Sequence, residues 1–85
     1  MKFTVVALES VDEMLATLFM ESADPQAVSS AADWIERQLK NDPLSKVTAV
    51  DDLYFLRRDP LVVLCKINVD DRLVTIVDVH RIEES

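Results

Sequence analysis

Five side chains in the last third of this chain are candidates to hold phosphates or move protons: Arg57, Arg58, Lys66, His80 and Arg81. Arg57-Arg58 could fork onto the paired oxygens of a phosphate or a partner's carboxylate. The alternative for that pair is a solvated hairpin end balanced by Asp59. His80 is the sole histidine and has the side chain suited to general acid work near neutral pH. It fits an ordinary strand end equally, because no second catalytic group stands beside it in sequence. Arg81 could bind phosphate or pair with Glu83 or Glu84. Lys66 interrupts the apolar run LVVLCKINV and would otherwise serve to blunt a solvent-facing strand.

Other chemistries are excluded by what is missing. The chain has no glycine, so neither a phosphate-cradling glycine loop nor a nucleophile elbow can form. Its single cysteine, Cys65, cannot close an internal disulfide, and nothing nearby would act as its base; it is expected to be a buried, inert thiol. Asp51-Asp52 and Asp70-Asp71 lack the ligand spacing of a calcium loop, and no zinc pattern occurs. No cofactor or metal is expected.

Net charge is −7, from 16 acidic and nine basic residues, which argues against unspecific nucleic-acid binding. The excess is uneven. Before Tyr54 there are ten acidic and four basic residues, whereas Tyr54 to Arg81 holds four acidic and five basic. No apolar run exceeds five residues, far short of the roughly 20 a membrane span needs. With no signal-peptide pattern at the N-terminus, a cytoplasmic protein without a membrane partner is expected.

The elements that must position these groups follow from periodicity. All 85 residues fit one domain, whose composition of 49% hydrophobic and 29% charged residues suits a single small core. Lys2 to Leu8 predicts a first strand. Ser10 and Glu13 form a capping-box pattern before Val11, Met14, Leu15, Leu18 and Phe19, an amphipathic helix to about Glu21. Asp24-Pro25 starts a second helix with Val28, Ala31, Ala32, Ile35 and Leu39 inward, ended by Pro43. Trp34 lies beside that stripe, either closing the core edge or anchoring a partner. Three strands follow, about Leu53 to Arg57, Leu61 to Val69 and Arg72 to His80, joined by Arg58-Asp59-Pro60 and by Asp70-Asp71. The order β-α-α-β-β-β predicts an α+β fold, two helices packed on one face of a mainly antiparallel four-stranded sheet. Alternation puts Leu61, Val63, Cys65 and Ile67 on the core face. Val62, Leu64 and Lys66 then lie on the face opposite the helices.

Three segments carry a resemblance. Ile35 to Leu44 (IERQLKNDPL) resembles the end of the second helix of the RelE/ParE toxins, commonly I-x-x-x-L-x-x-D-P. Leu56 to Ile67 (LRRDPLVVLCKI) is similar to their central hairpin, and Asp70 to Val79 (DDRLVTIVDV) to their final hairpin and last strand. The resemblance covers nearly the whole chain. It implies a cognate antitoxin as partner, covering the face that holds Val62, Leu64 and Lys66. For RelE-like members it implies cleavage of mRNA in the ribosome; for ParE-like members, gyrase inhibition without cutting nucleic acid.

Cleavage through the 2′-hydroxyl requires a base, an acid for the leaving oxygen, and cations on the phosphate. The chain departs from the ribonuclease pattern here. Val62 stands where an arginine is usual, and the preceding strand presents Leu53 and Phe55 where lysines are common. The set that remains for catalysis is Arg57, Arg58, Lys66, His80 and Arg81. The expectation is a toxin-fold binding protein with a reduced catalytic set. The alternative is a non-enzymatic interaction module, either gyrase-inhibiting or non-toxic.

Overall fold

The computed structural model describes residues 2–82. In chain order the elements are β1 (Thr4–Ala7), α1 (Glu9–Glu21), α2 (Pro25–Lys40), a 3₁₀ turn (Pro43–Ser45), β2 (Thr48–Val50), β3 (Leu53–Arg58), β4 (Leu61–Asn68) and β5 (Leu73–Arg81). The strands form one sheet in the order β1-β5-β4-β3-β2. β1 runs parallel to β5, and every other pairing is antiparallel. The fold is thus α+β as expected, with five strands rather than four. The added strand is β2, only three residues long, hairpinned onto β3 through Asp51-Asp52.

Helix α2 follows its sequence signals closely. The Asp24 side chain caps it, with Oδ1 accepting from the Ala27 N–H at 3.2 Å, and Pro25 occupies the first turn, where a missing N–H leaves no gap. Val28, Ala31, Ile35 and Leu39 are buried, while Asp33, Glu36, Arg37 and Lys40 are exposed. The helix ends at Lys40, and buried Pro43 begins the 3₁₀ turn. Helix α1 differs from expectation at its start. It begins at Glu9, one residue before Ser10, with Leu8 as N-cap and no side-chain cap, so the Ser10–Glu13 capping box does not form. The cap position needs a non-helical backbone, which Leu8 has and Ser10, already inside the helix, does not. Of the α1 stripe only Val11 is buried; Met14 and Phe19 lie at its margins and stay 45% and 43% exposed.

The core joins α2 to the helix-facing side of the sheet: Leu56 on β3, Leu61, Val63 and Cys65 on β4, and Val74, Ile76 and Val79 on β5. Burial raises the Cys65 thiol from 9.0 to about 11. A thiol reagent at neutral pH should therefore modify Cys65 only on unfolding; rapid labelling of the native protein would contradict its placement.

The turns manage without glycine. Asp42, Asp51 and Arg72 take positive φ values of 50–53°, and Asp tolerates this region better than most residues because its short side chain bonds locally. In the last turn Asn68 clamps the chain, its Oδ1 accepting from the Asp71 N–H at 3.1 Å and its Nδ2 donating to Asp71 Oδ2 at 3.0 Å. The Asp51-Asp52 pair, without a role in sequence, forms the β2–β3 turn.

Candidate functional site

Residues directly opposite each other across paired strands share a face, so the register sorts the candidate residues without ambiguity. Arg57 pairs with Val62, and Val62 with His80, giving one row across β3, β4 and β5 on the side away from the helices. The next row is Thr48, Phe55, Leu64 and Asp78. Lys66 continues this face, with Thr75 of β5 beside it and, beyond Thr75, Val6 of β1. Lys66 is exposed while its neighbours Cys65 and Val63 are buried, in agreement with the alternation.

The open face is apolar at its centre. Phe55, Val62 and Leu64 adjoin there, half-buried with no second layer over them among the described residues; Leu73 and Val6 lie beyond Lys66 and Thr75, and Val50 at the β2 edge. Arg57, Lys66 and His80 stand around this patch. A contiguous apolar surface rimmed by polar groups is the usual form of a protein-binding site.

A bulge sets which residues of β5 reach this face. The β4–β5 register shifts between Leu64 and Cys65: Leu64 pairs with Asp78 but Cys65 with Ile76, so Val77 is the extra residue. Strict alternation would put Val74, Ile76, Asp78 and His80 on one side. The bulge reverses the phase, which buries Val74 and Ile76 at one end and Val79 at the other. Asp78 and His80 thereby turn to the open side. There Asp78 Oδ2 lies 2.9 Å from His80 Nε2, and Asp78 Oδ1 accepts from the Val79 N–H at 2.9 Å. Sequence reasoning missed Asp78; the signal was the i, i+2 spacing Asp78-Val79-His80 after the change of phase from Ile76 to Val77.

Arg57 belongs to its hairpin end. Its Nε donates to Asp59 Oδ1 at 2.7 Å, both groups being more than half exposed. This bond holds the Asp59 carboxyl below its ordinary value and the Arg57 guanidinium above its own. Screening by water keeps such an exposed pair weak, yet it leaves the guanidinium less available to a phosphate.

The other two arginines are elsewhere. Arg58 and Arg81 both pair with Leu61, on the helix-facing side. Arg58 lays its guanidinium over the Trp34 ring, 4.9 Å from the centroid, a cation–π contact. Trp34, half-buried against the core, thus closes the core edge. Arg81 lines a cleft with Asp24, Asp59 and Pro60; the alternative partners Glu83 and Glu84 lie outside the described residues. The five candidates therefore divide: Arg57, Lys66 and His80 share the open face, and Arg58 and Arg81 do not. Val62, an apolar residue, stands between Arg57 and His80. Among the described residues no group of His, Cys, Asp and Glu is arranged to hold a metal ion. None of their helices is long and apolar enough to cross a membrane.

No protein-family model matches the sequence, and no curated protein does. Solved structures match it over nearly its full length. The toxin–antitoxin complex RelBE2 from Mycobacterium tuberculosis contains a chain 18% identical, with a TM-score of 0.78 over 94% of this chain and 91% of that one. The archaeal RelE–RelB complex from Pyrococcus horikoshii OT3 gives 19% identity and a TM-score of 0.65, each chain covered completely. The chromosomal ParDE toxin–antitoxin system from P. aeruginosa gives 11% identity and 0.70, covering 96% of this chain and 98% of that one. These likenesses extend over the helical hairpin and the sheet together, and the protein has the α+β fold of RelE/ParE-type toxin–antitoxin structures.

Proposed function

We propose that this protein is the toxin-like component of a type II toxin–antitoxin pair, acting in the cytoplasm, and that a cognate antitoxin covers the open face of its sheet. The observation that carries the reading is the apolar patch of Phe55, Val62 and Leu64, half-buried at the centre of a face that no helix among the described residues covers and rimmed by Arg57, Lys66 and His80. The three similar structures are themselves toxin–antitoxin assemblies. A segment that folds as it binds would bury this patch and supply carboxylates to the rim cations.

The face is better equipped for binding than for cutting RNA. A phosphodiester would need cations converging on it. Here the row from Arg57 to His80 is interrupted by Val62, Arg57 is bonded to Asp59, and Arg58 and Arg81 are on the other side of the sheet. One observation favours ribosome-dependent mRNA cleavage as a second reading: the Asp78 carboxylate on Nε2 of His80 orients the imidazole, as paired carboxylates do in general acid–base sites.

Induced expression in a bacterial culture, with protein synthesis followed by label incorporation and mRNA ends mapped, separates the two. A protein that acts by binding leaves mRNA ends unchanged and produces no abrupt fall in incorporation. A rapid fall accompanied by new mRNA ends, both abolished by His80→Ala, would establish the nuclease instead.

A further inference from the structure

The two edges of the sheet are finished differently. β1 is tied down at its start, where the Phe3 N–H donates to Lys40 O at 2.8 Å and Lys2 bridges to Asn41. β2 has β3 on one side, and Thr48, Ala49 and Val50 are all exposed. In a two-residue hairpin the pair flanking the turn, here Val50 and Leu53, is hydrogen-bonded. The bonded pairs then alternate, so the N–H and C=O of Ala49 point away from the sheet. Edge strands are usually blunted by a charge, a proline or a bulge. β2 contains none of these and carries two β-branched residues.

We propose that a second copy of this chain docks here, β2 against β2, antiparallel and centred on Ala49. Each Ala49 then exchanges both of its backbone bonds with the other. Thr48 of each copy lies opposite Val50 of the other, and the two sheets become continuous. Charge selects the direction. Lys46 precedes the strand and Asp51-Asp52 follows it. The antiparallel arrangement brings Lys46 of each copy to the acidic turn of the other, twice over. A parallel arrangement would set lysine beside lysine and turn beside turn. In the single chain Lys46 Nζ donates to Gln38 Oε1 at 2.9 Å, so docking exchanges a neutral acceptor for a carboxylate, a stronger bond. The complementarity matters because a chain of net charge −7 otherwise repels its copy. The contact is short, so association is weak, with a dissociation constant on the order of 100 μM.

Sedimentation of the full chain from about 10 μM to about 1 mM tests this, with Ala49→Pro and Lys46→Asp beside the wild type. Ala49→Pro removes an outward N–H without touching the β2–β3 ladder. Lys46→Asp sets like charges together on an exposed site, and circular dichroism confirms the fold of each. The expected result is a concentration-dependent dimer, weakened at least tenfold by either substitution. A wild type that stays monomeric throughout, or association that survives either substitution in a folded variant, overturns the proposal.

Discussion

Replacing Leu64 by lysine is expected to weaken binding of the antitoxin by at least ~30-fold while leaving the free protein folded. Leu64 is central to the open face, flanked by Phe55 on β3 and Asp78 on β5. Loss of a hot spot at the centre of an interface costs about 2 kcal/mol or more, which corresponds to roughly 30-fold in affinity. The substitution does more than truncate, because it carries a charge into the part of the interface that docking would dry. In the unbound protein the change is mild, since the side chain is only half-buried and the new ammonium faces the Asp78 carboxylate across the strands. Calorimetric titration with the antitoxin reads the loss, and an unchanged melting curve excludes unfolding as its cause. Wild-type affinity in the variant would place the partner elsewhere.

Leu39→Ala is expected to have the largest effect on stability. Leu39 is 0% exposed in the last turn of α2, within the core formed between that helix and the sheet. Deleting a leucine side chain from such a site costs about 2–5 kcal/mol, through lost burial and the cavity left behind. A chain of 85 residues has a total stability of roughly 4–13 kcal/mol, so a large fraction is at risk. The melting temperature should fall by more than about 10 °C. Met20→Ala is the control: Met20 is 82% exposed, and its loss should stay within about 0.5 kcal/mol. Equal effects at the two positions would mean that the α2 seam is not the core.

The α2 helix was legible because three independent signals agreed: the Asp24 cap, Pro25 in the first turn, and the spacing of Val28, Ala31, Ile35 and Leu39. In β4 plain alternation sufficed to separate Leu61, Val63 and Cys65 from Val62, Leu64 and Lys66. Local signals failed where tertiary pairing decided the outcome. The capping box at Ser10 and Glu13 lost to a helix that starts earlier, because the β1 ladder, which the Leu8 N–H bond to Ile76 O continues, fixes where the chain turns. β2 is three residues long and owes its conformation to β3, so the Thr48–Val50 segment carries too little periodicity to be seen alone.

The candidate site was half legible for the same reason. That Arg57 and Arg58 fall on opposite faces follows from their adjacency on one strand. That His80 shares a face with Arg57 depends on the bulge at Val77, which strict alternation along β5 cannot provide. The Arg57–Asp59 bond was accessible from the turn sequence, whereas the stacking of Arg58 on Trp34 joins residues 24 positions apart and required the fold.

The central claim is that the open face of the sheet receives the partner, and methyl-resolved NMR of the chain during titration with its antitoxin tests it most directly. Signals of Val62, Leu64 and Val6 report on that face, and those of Met14 and Met20 on the outer surface of α1. The expected result is large shifts at Val62, Leu64 and Val6 with Met14 and Met20 unmoved; shifts confined to Met14 and Met20 would contradict it.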